Sequence, residues 1–135
     1  MSKRIPLLVM PLSFLIALIP AFAHHGAAVF ETKTVTMKGT VAEWFWANPH
    51  CLLKYDVKDD NGQVVRWVAE TQAPINMIGA GWRKDSFKPG DLVTVTVRPV
   101  KSGQPVGAIV GVVFPDGRVL GKVEVNTGAD SGTNN

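Results

Sequence analysis

From residue 35 onward, apolar side chains recur at every second position in short runs, and each run stops at a turn signal. A period of two fits a strand with one buried face and no helix, so this pattern restricts the chain to a small β-domain. The cleanest run is 92–98, where Val93, Val95 and Val97 alternate with Thr94, Thr96 and Arg98. Residues 50–57 place Cys51, Leu53, Tyr55 and Val57 on one side and His50, Leu52, Lys54 and Asp56 on the other. Residues 63–70 likewise set Val65, Trp67 and Ala69 against Val64, Arg66, Val68 and Glu70. Between these two runs lies Asp59-Asp60-Asn61-Gly62, whose Asn-Gly pair tolerates the positive φ values of a tight hairpin.

A first strand is expected over 35–44, with Val35, Met37, Gly39, Val41 and Glu43 on one face and Thr36, Lys38, Thr40, Ala42 and Trp44 on the other. Gly39 in mid-strand marks a bend or a close approach. Residues 106–114 are apolar on both faces and suit a strand covered on both sides. Pro115-Asp116-Gly117 then turns the chain into a last strand over 118–125. Pro74 opens a short helix over 74–80, in which Ile75, Ile78 and Trp82 fall near helical spacing and Gly79 and Gly81 end the run. Residues 83–91 read as a polar loop.

Three strands, a short helix and then two or three more strands predict an all-β fold: a small antiparallel OB-like barrel of five to six strands over 35–125. A twisted sandwich and an SH3-like barrel share the strand count, and the helix position favours the OB-like form. The expected core is Val41, Leu53, Tyr55, Val65, Val93, Val95, Val97 and Ile109.

The start of the chain has a different character. Lys3 and Arg4 precede a mainly apolar run over 5–19, and Ala21-Phe22-Ala23 supplies a small-x-small cleavage pattern. This predicts a secretory signal over 1–23, too short to serve as a spanning helix, and a periplasmic or extracellular protein with no transmembrane segment after cleavage. His24, His25 and Gly26 would begin the mature chain, followed by a lead-in over 24–34. Losing Lys3 and Arg4 leaves 12 Lys/Arg against 11 Asp/Glu, a net charge of +1 without the concentrated basic face of a nucleic-acid binder. Residues 126–135 are almost free of apolar side chains and read as a disordered tail.

The chain resembles a bacterial family of small exported proteins of unknown function (domain of unknown function 6152). The resemblance rests on His24-His25-Gly26, Gly39-Thr40-Val41 leading to Trp44, and Trp46-Ala47-Asn48-Pro49-His50. It continues through Val57-Lys58-Asp59, Pro74, Gly81-Trp82, Lys88-Pro89-Gly90-Asp91 and Asp116-Gly117-Arg118. It implies export and a small β-domain, and it assigns no activity to any residue. Members are acidic or hydrophobic where this chain has Cys51.

Three sets of residues carry candidate chemistry. Trp44, Trp46 and Trp82, with Asn48 and His50, are the candidate ligand-binding set: indoles either fill a core or line a groove for a small ligand or an envelope protein. The three histidines of the chain, His24, His25 and His50, form the candidate metal set. A histidine at a free N-terminus chelates through its amine and Nδ1, and nitrogen donors of this kind favour Cu(II), so copper is the alternative to a protein without a cofactor. Cys51 is the single cysteine and so forms no intramolecular disulfide; strand alternation sets its thiol on the opposite face from His50. No zinc-spaced ligand cluster and no nucleophile–base–acid set is apparent, so catalysis is not expected. The leading expectation is a non-catalytic periplasmic binding module, with a copper-binding protein and a structural envelope protein as its rivals.

Overall fold

A computed structural model of the chain describes residues 29–122. Its elements are β1 (Val35–Phe45), β2 (Leu52–Lys58), β3 (Val64–Glu70), α1 (Pro74–Ile78), β4 (Leu92–Pro99), β5 (Val106–Val113) and β6 (Val119–Gly121). The sheet order is β3-β2-β1-β4-β5-β6, and a further β3–β5 pairing closes five strands into a barrel, leaving β6 as an extra strand on β5. This is an OB-like barrel with its helix between the third and fourth strands. All neighbours run antiparallel except β3 and β5, which close the barrel in parallel over Val68↔Val106, Ala69↔Gly107 and Glu70↔Ala108.

β1 belongs to both halves of the barrel. Its first part, Val35 to Thr40, pairs with β4, and its second part, Thr40 to Phe45, pairs with β2. The strand must bend where it changes partner, and Gly39 stands there. A Cβ on Gly39 would lie 2.7 Å from the Asp56 carbonyl oxygen and 2.9 Å from the Tyr55 ring, so the approach tolerates no side chain.

The alternation expected for β1 fails at one residue. Val41 pairs with Tyr55, but the next pair is Glu43 with Lys54, so Ala42 is an extra residue in a β-bulge. The bulge reverses the faces beyond it. Glu43, expected inward, is exposed and accepts a 2.7 Å bond from Lys54, while Trp44 and Trp46, not Glu43, pack against the core. The turn over 88–91 docks on the same spot, with Val41 N–H donating to Asp91 O and Gly90 N–H to Val41 O, both at 2.8 Å. A second irregularity in β5 skips Val110 between Ile109 and Gly111.

The core holds Val41, Leu53, Tyr55, Val93, Val95 and Val97 as expected, joined by Ala69, Met77, Trp82, Phe87, Val112, Phe114 and Leu120. Val65 and Ile109 are only half-buried. Val65 sits next to the turn of the β2–β3 hairpin, and Ile109 lies just past the barrel closure, where β3 no longer pairs with β5. The helix is shorter than expected and presents Met77 to the core, leaving Ile75 and Ile78 exposed at 77% and 46%. Phe87, within the stretch read as a polar loop, is buried. The last strand is only Val119–Gly121 and stops before Lys122, short of the expected 118–125, while residues 123–125, the expected signal over 1–23 and the tail over 126–135 lie outside the described residues.

Tyr55 is fully buried, and its hydroxyl has no hydrogen-bond partner among the described residues. Burial raises the phenol pKa above its ordinary value. Because the folded state favours the protonated form, its contribution to stability is intact below pH ~10 and is lost as pH rises through the folded pKa. Tyr55→Phe removes an unsatisfied group and is expected to leave stability at pH 7 unchanged or about 1 kcal/mol higher in urea denaturation. The advantage of the variant should widen above pH ~10. A loss of stability at pH 7 would show that the hydroxyl has a stabilising partner.

Candidate functional site

The barrel is closed by only three residue pairs between β3 and β5. Beyond Glu70 the chain leaves the sheet for α1, while β5 continues through Ile109, so the two strands diverge and a groove of about 650 Å³ opens at their seam. Its apolar wall includes Phe30, Met77, Trp82 and Ile109, and its polar side carries His50, Glu70, Thr71, Arg98 and Lys122. Thr71 ties the end of β3 to the helix by donating its hydroxyl to Met77 Sδ at 2.7 Å.

Backbone pairing holds His50 at this seam. Cys51 N–H donates to Gln72 O at 3.1 Å and Thr71 N–H donates to Cys51 O at 3.0 Å, which fastens the start of β2 to the end of β3. His50 Nδ1 lies 2.8 Å from Thr71 O and 2.9 Å from Glu70 Oε1. Carbonyl and carboxylate oxygens only accept, so Nδ1 carries a proton and the ring orientation is set by β3. Cys51 points the other way into the barrel, where burial pushes its thiol above the ordinary pKa. The adjacent imidazole and thiol thus lie on opposite faces.

The three tryptophans of the candidate binding set meet in one aromatic cluster, and only Trp82 of them reaches the seam groove. Trp44 is half-buried in an aromatic cluster, with ring centroids 5.6 Å from Trp46, 5.9 Å from Trp82 and 5.0 Å from Phe87. Its indole Nε1–H donates to Arg83 O at 3.0 Å, and Phe87 extends the cluster to Phe114 at 5.3 Å. Trp46 is half-buried beside Trp44, and neither ring lines the seam groove. Trp82 is only 2% exposed, yet it forms part of the groove wall as well as the core. Asn48 is exposed, and its bond to Pro49 is cis. Of the five residues, the fold brings His50 and Trp82 together at the groove.

Thr71, Arg98 and Lys122 were not singled out by sequence reasoning. The period-two pattern puts Glu70 and Arg98 on outward faces but carries no sign that Ala108 joins them, through Glu70↔Ala108 and Arg98↔Ala108. His24 and His25 of the candidate metal set lie outside the described residues. Among those described, no group of three His, Cys, Asp or Glu side chains is placed to hold a metal ion. No helix among the described residues is long and apolar enough to cross a membrane.

No curated protein and no solved structure matches the chain. Residues 13–109, more than two thirds of its length, match DUF6152, a family of unknown function. With that match the resemblance drawn from the Trp46–His50 element and its companions is established: the chain belongs to the DUF6152 family.

Proposed function

We propose that this protein is an exported, non-catalytic binding module whose small ligand or protein partner enters the seam groove between β3 and β5. The observation that carries this reading is the placement of His50, Glu70 and Arg98 beside Trp82 and Ile109 around about 650 Å³ of open space. That volume lies in the range of small-molecule sites, which pair an apolar wall with a few fixed polar groups. His50 is such a group, because Glu70 and Thr71 hold its ring before any ligand arrives. Export rests on the basic start, the apolar run and Ala21-Phe22-Ala23.

A fragment screen followed by amide chemical shifts tests this reading. Ligands found are expected to shift the amides of His50, Glu70, Ile109 and Lys122. Ile109→Asp, which puts a charge into the apolar wall, should weaken them about tenfold or more while leaving the fold intact. Ligands that shift other regions, or that ignore the substitution, would contradict it.

A copper site is a second reading, favoured by the course of the lead-in. Phe30 and Thr34 line the same groove as His50. His24 lies six residues before Phe30, a stretch that reaches at most about 20 Å. A ring that donates Nδ1–H to a carboxylate or a backbone carbonyl also has the usual tautomer of an Nε2 metal ligand. His24, with His25 or His50, would then supply the nitrogen donors. Titration with Cu(II) should give tight one-to-one binding by protein beginning at His24, lost when one extra residue precedes His24. Equal, weak binding by both forms would make the histidines incidental chelators.

A further inference from the structure

A second groove opens where β1 changes partner, and it shares no lining residue with the first. β1 pairs with β4 up to Thr40↔Leu92 and with β2 from Thr40↔Asp56 onward, and about 600 Å³ of open space lies beside this change of partner. Lys38 and Thr40 reach this space from β1, Lys58 from the end of β2, and Thr94 from β4. Lys38 pairs with Thr94 and Thr40 with Leu92, so these groups share one stretch of sheet.

The chemistry of the walls is divided. Among the described residues neither Lys38 nor Lys58 makes an ion pair, and neither the Thr40 nor the Thr94 hydroxyl makes a hydrogen bond. The one acidic lining residue, Asp56, is held by Arg66 through two bonds of 2.8 Å. The rest of the lining is apolar, with Leu92 directly beside Thr40 on the sheet. Leu92 is 61% exposed, and the Phe114 ring is fixed between Phe87 at 5.3 Å and the Arg118 guanidinium at 3.7 Å. Two ammonium groups against one carboxylate give the lining a surplus of one positive charge.

We propose that this groove binds a small monocarboxylate carrying an apolar stem, with the carboxylate between Lys38 and Lys58 near the threonine hydroxyls and the stem on Leu92 and Phe114. A head of opposite charge would satisfy donors that have no protein partner, and the stem would cover the apolar surface of Leu92. The inference uses no residue of the seam groove, so either can fail without the other.

The test is a chemical-shift titration of the protein with octanoate, beside octanol and acetate. Octanoate is expected to shift the amides of Lys38, Thr40, Leu92 and Thr94, and octanol and acetate should each bind at least about tenfold more weakly. Lys38→Gln and Lys58→Gln should each weaken octanoate about tenfold. Leu92→Asn should also weaken it, and all three exposed positions should keep the wild-type spectrum in the absence of ligand. No binding, shifts centred on His50, equal binding of octanol, or binding unchanged in the Lys38→Gln/Lys58→Gln double variant would overturn the proposal.

Discussion

Closing a five-stranded sheet with three parallel residue pairs is the constraint on which the rest of this structure depends. An antiparallel sheet this small leaves two edges unless it is wound on itself, and closure removes them. Here β3 meets β5 only over Val68 to Glu70 and Val106 to Ala108. Pairing that stops there covers the end of β3 and the start of β5 and leaves the seam open beyond Glu70. The helix fills the bottom of the gap with Met77, and Trp82 follows it into the core. What remains unfilled is the groove, and His50 stands at its rim because Cys51 is bonded to the same end of β3.

The opposite half of the barrel depends on β1. Gly39 lets the strand bend from β4 to β2, and the bulge at Ala42 then turns Trp44 inward. Without that extra residue Trp44 would face solvent and Glu43 the core, at the cost of desolvating a carboxylate. The aromatic cluster of Trp44, Trp46, Trp82, Phe87 and Phe114 is therefore a consequence of one irregular residue. It packs one end of the barrel, and through Trp82 it also backs the seam groove. A ligand at His50 would thus lie against a wall continuous with the main core.

Features that depend on nearest neighbours along the chain were legible in the sequence. The valine stripe of β4, the inward set Cys51, Leu53 and Tyr55, and the Asn61-Gly62 hairpin all follow from local period and turn chemistry. The hairpin forms where expected, but as a loop over 59–63 in which Gly62 alone takes a positive φ, 78°, and Asp59 Oδ1 accepts bonds from Asn61 N–H and Gln63 N–H. The bulges at Ala42 and Val110 were not legible, because an alanine or valine carries no mark of being unpaired. Phe87 was hidden by its polar neighbours, and Met77 by the stronger apolar signal of Ile75 and Ile78. His50 could be singled out from its turn, and Glu70 comes to it across the β2–β3 hairpin, but Arg98 and Lys122 join them only through long-range register. That register is absent from any short window of sequence, so half of the candidate site was visible only in the fold.

The most direct measurement is the set of backbone nuclear Overhauser effects across the β3–β5 seam. Cross-strand contacts are predicted for Val68 with Val106, Ala69 with Gly107 and Glu70 with Ala108, and then a stop. Contacts that continue in register from Gln72 to Val110 would mean that the strands zip together below Glu70. The groove at His50 would then not exist, and no ligand could enter the barrel there.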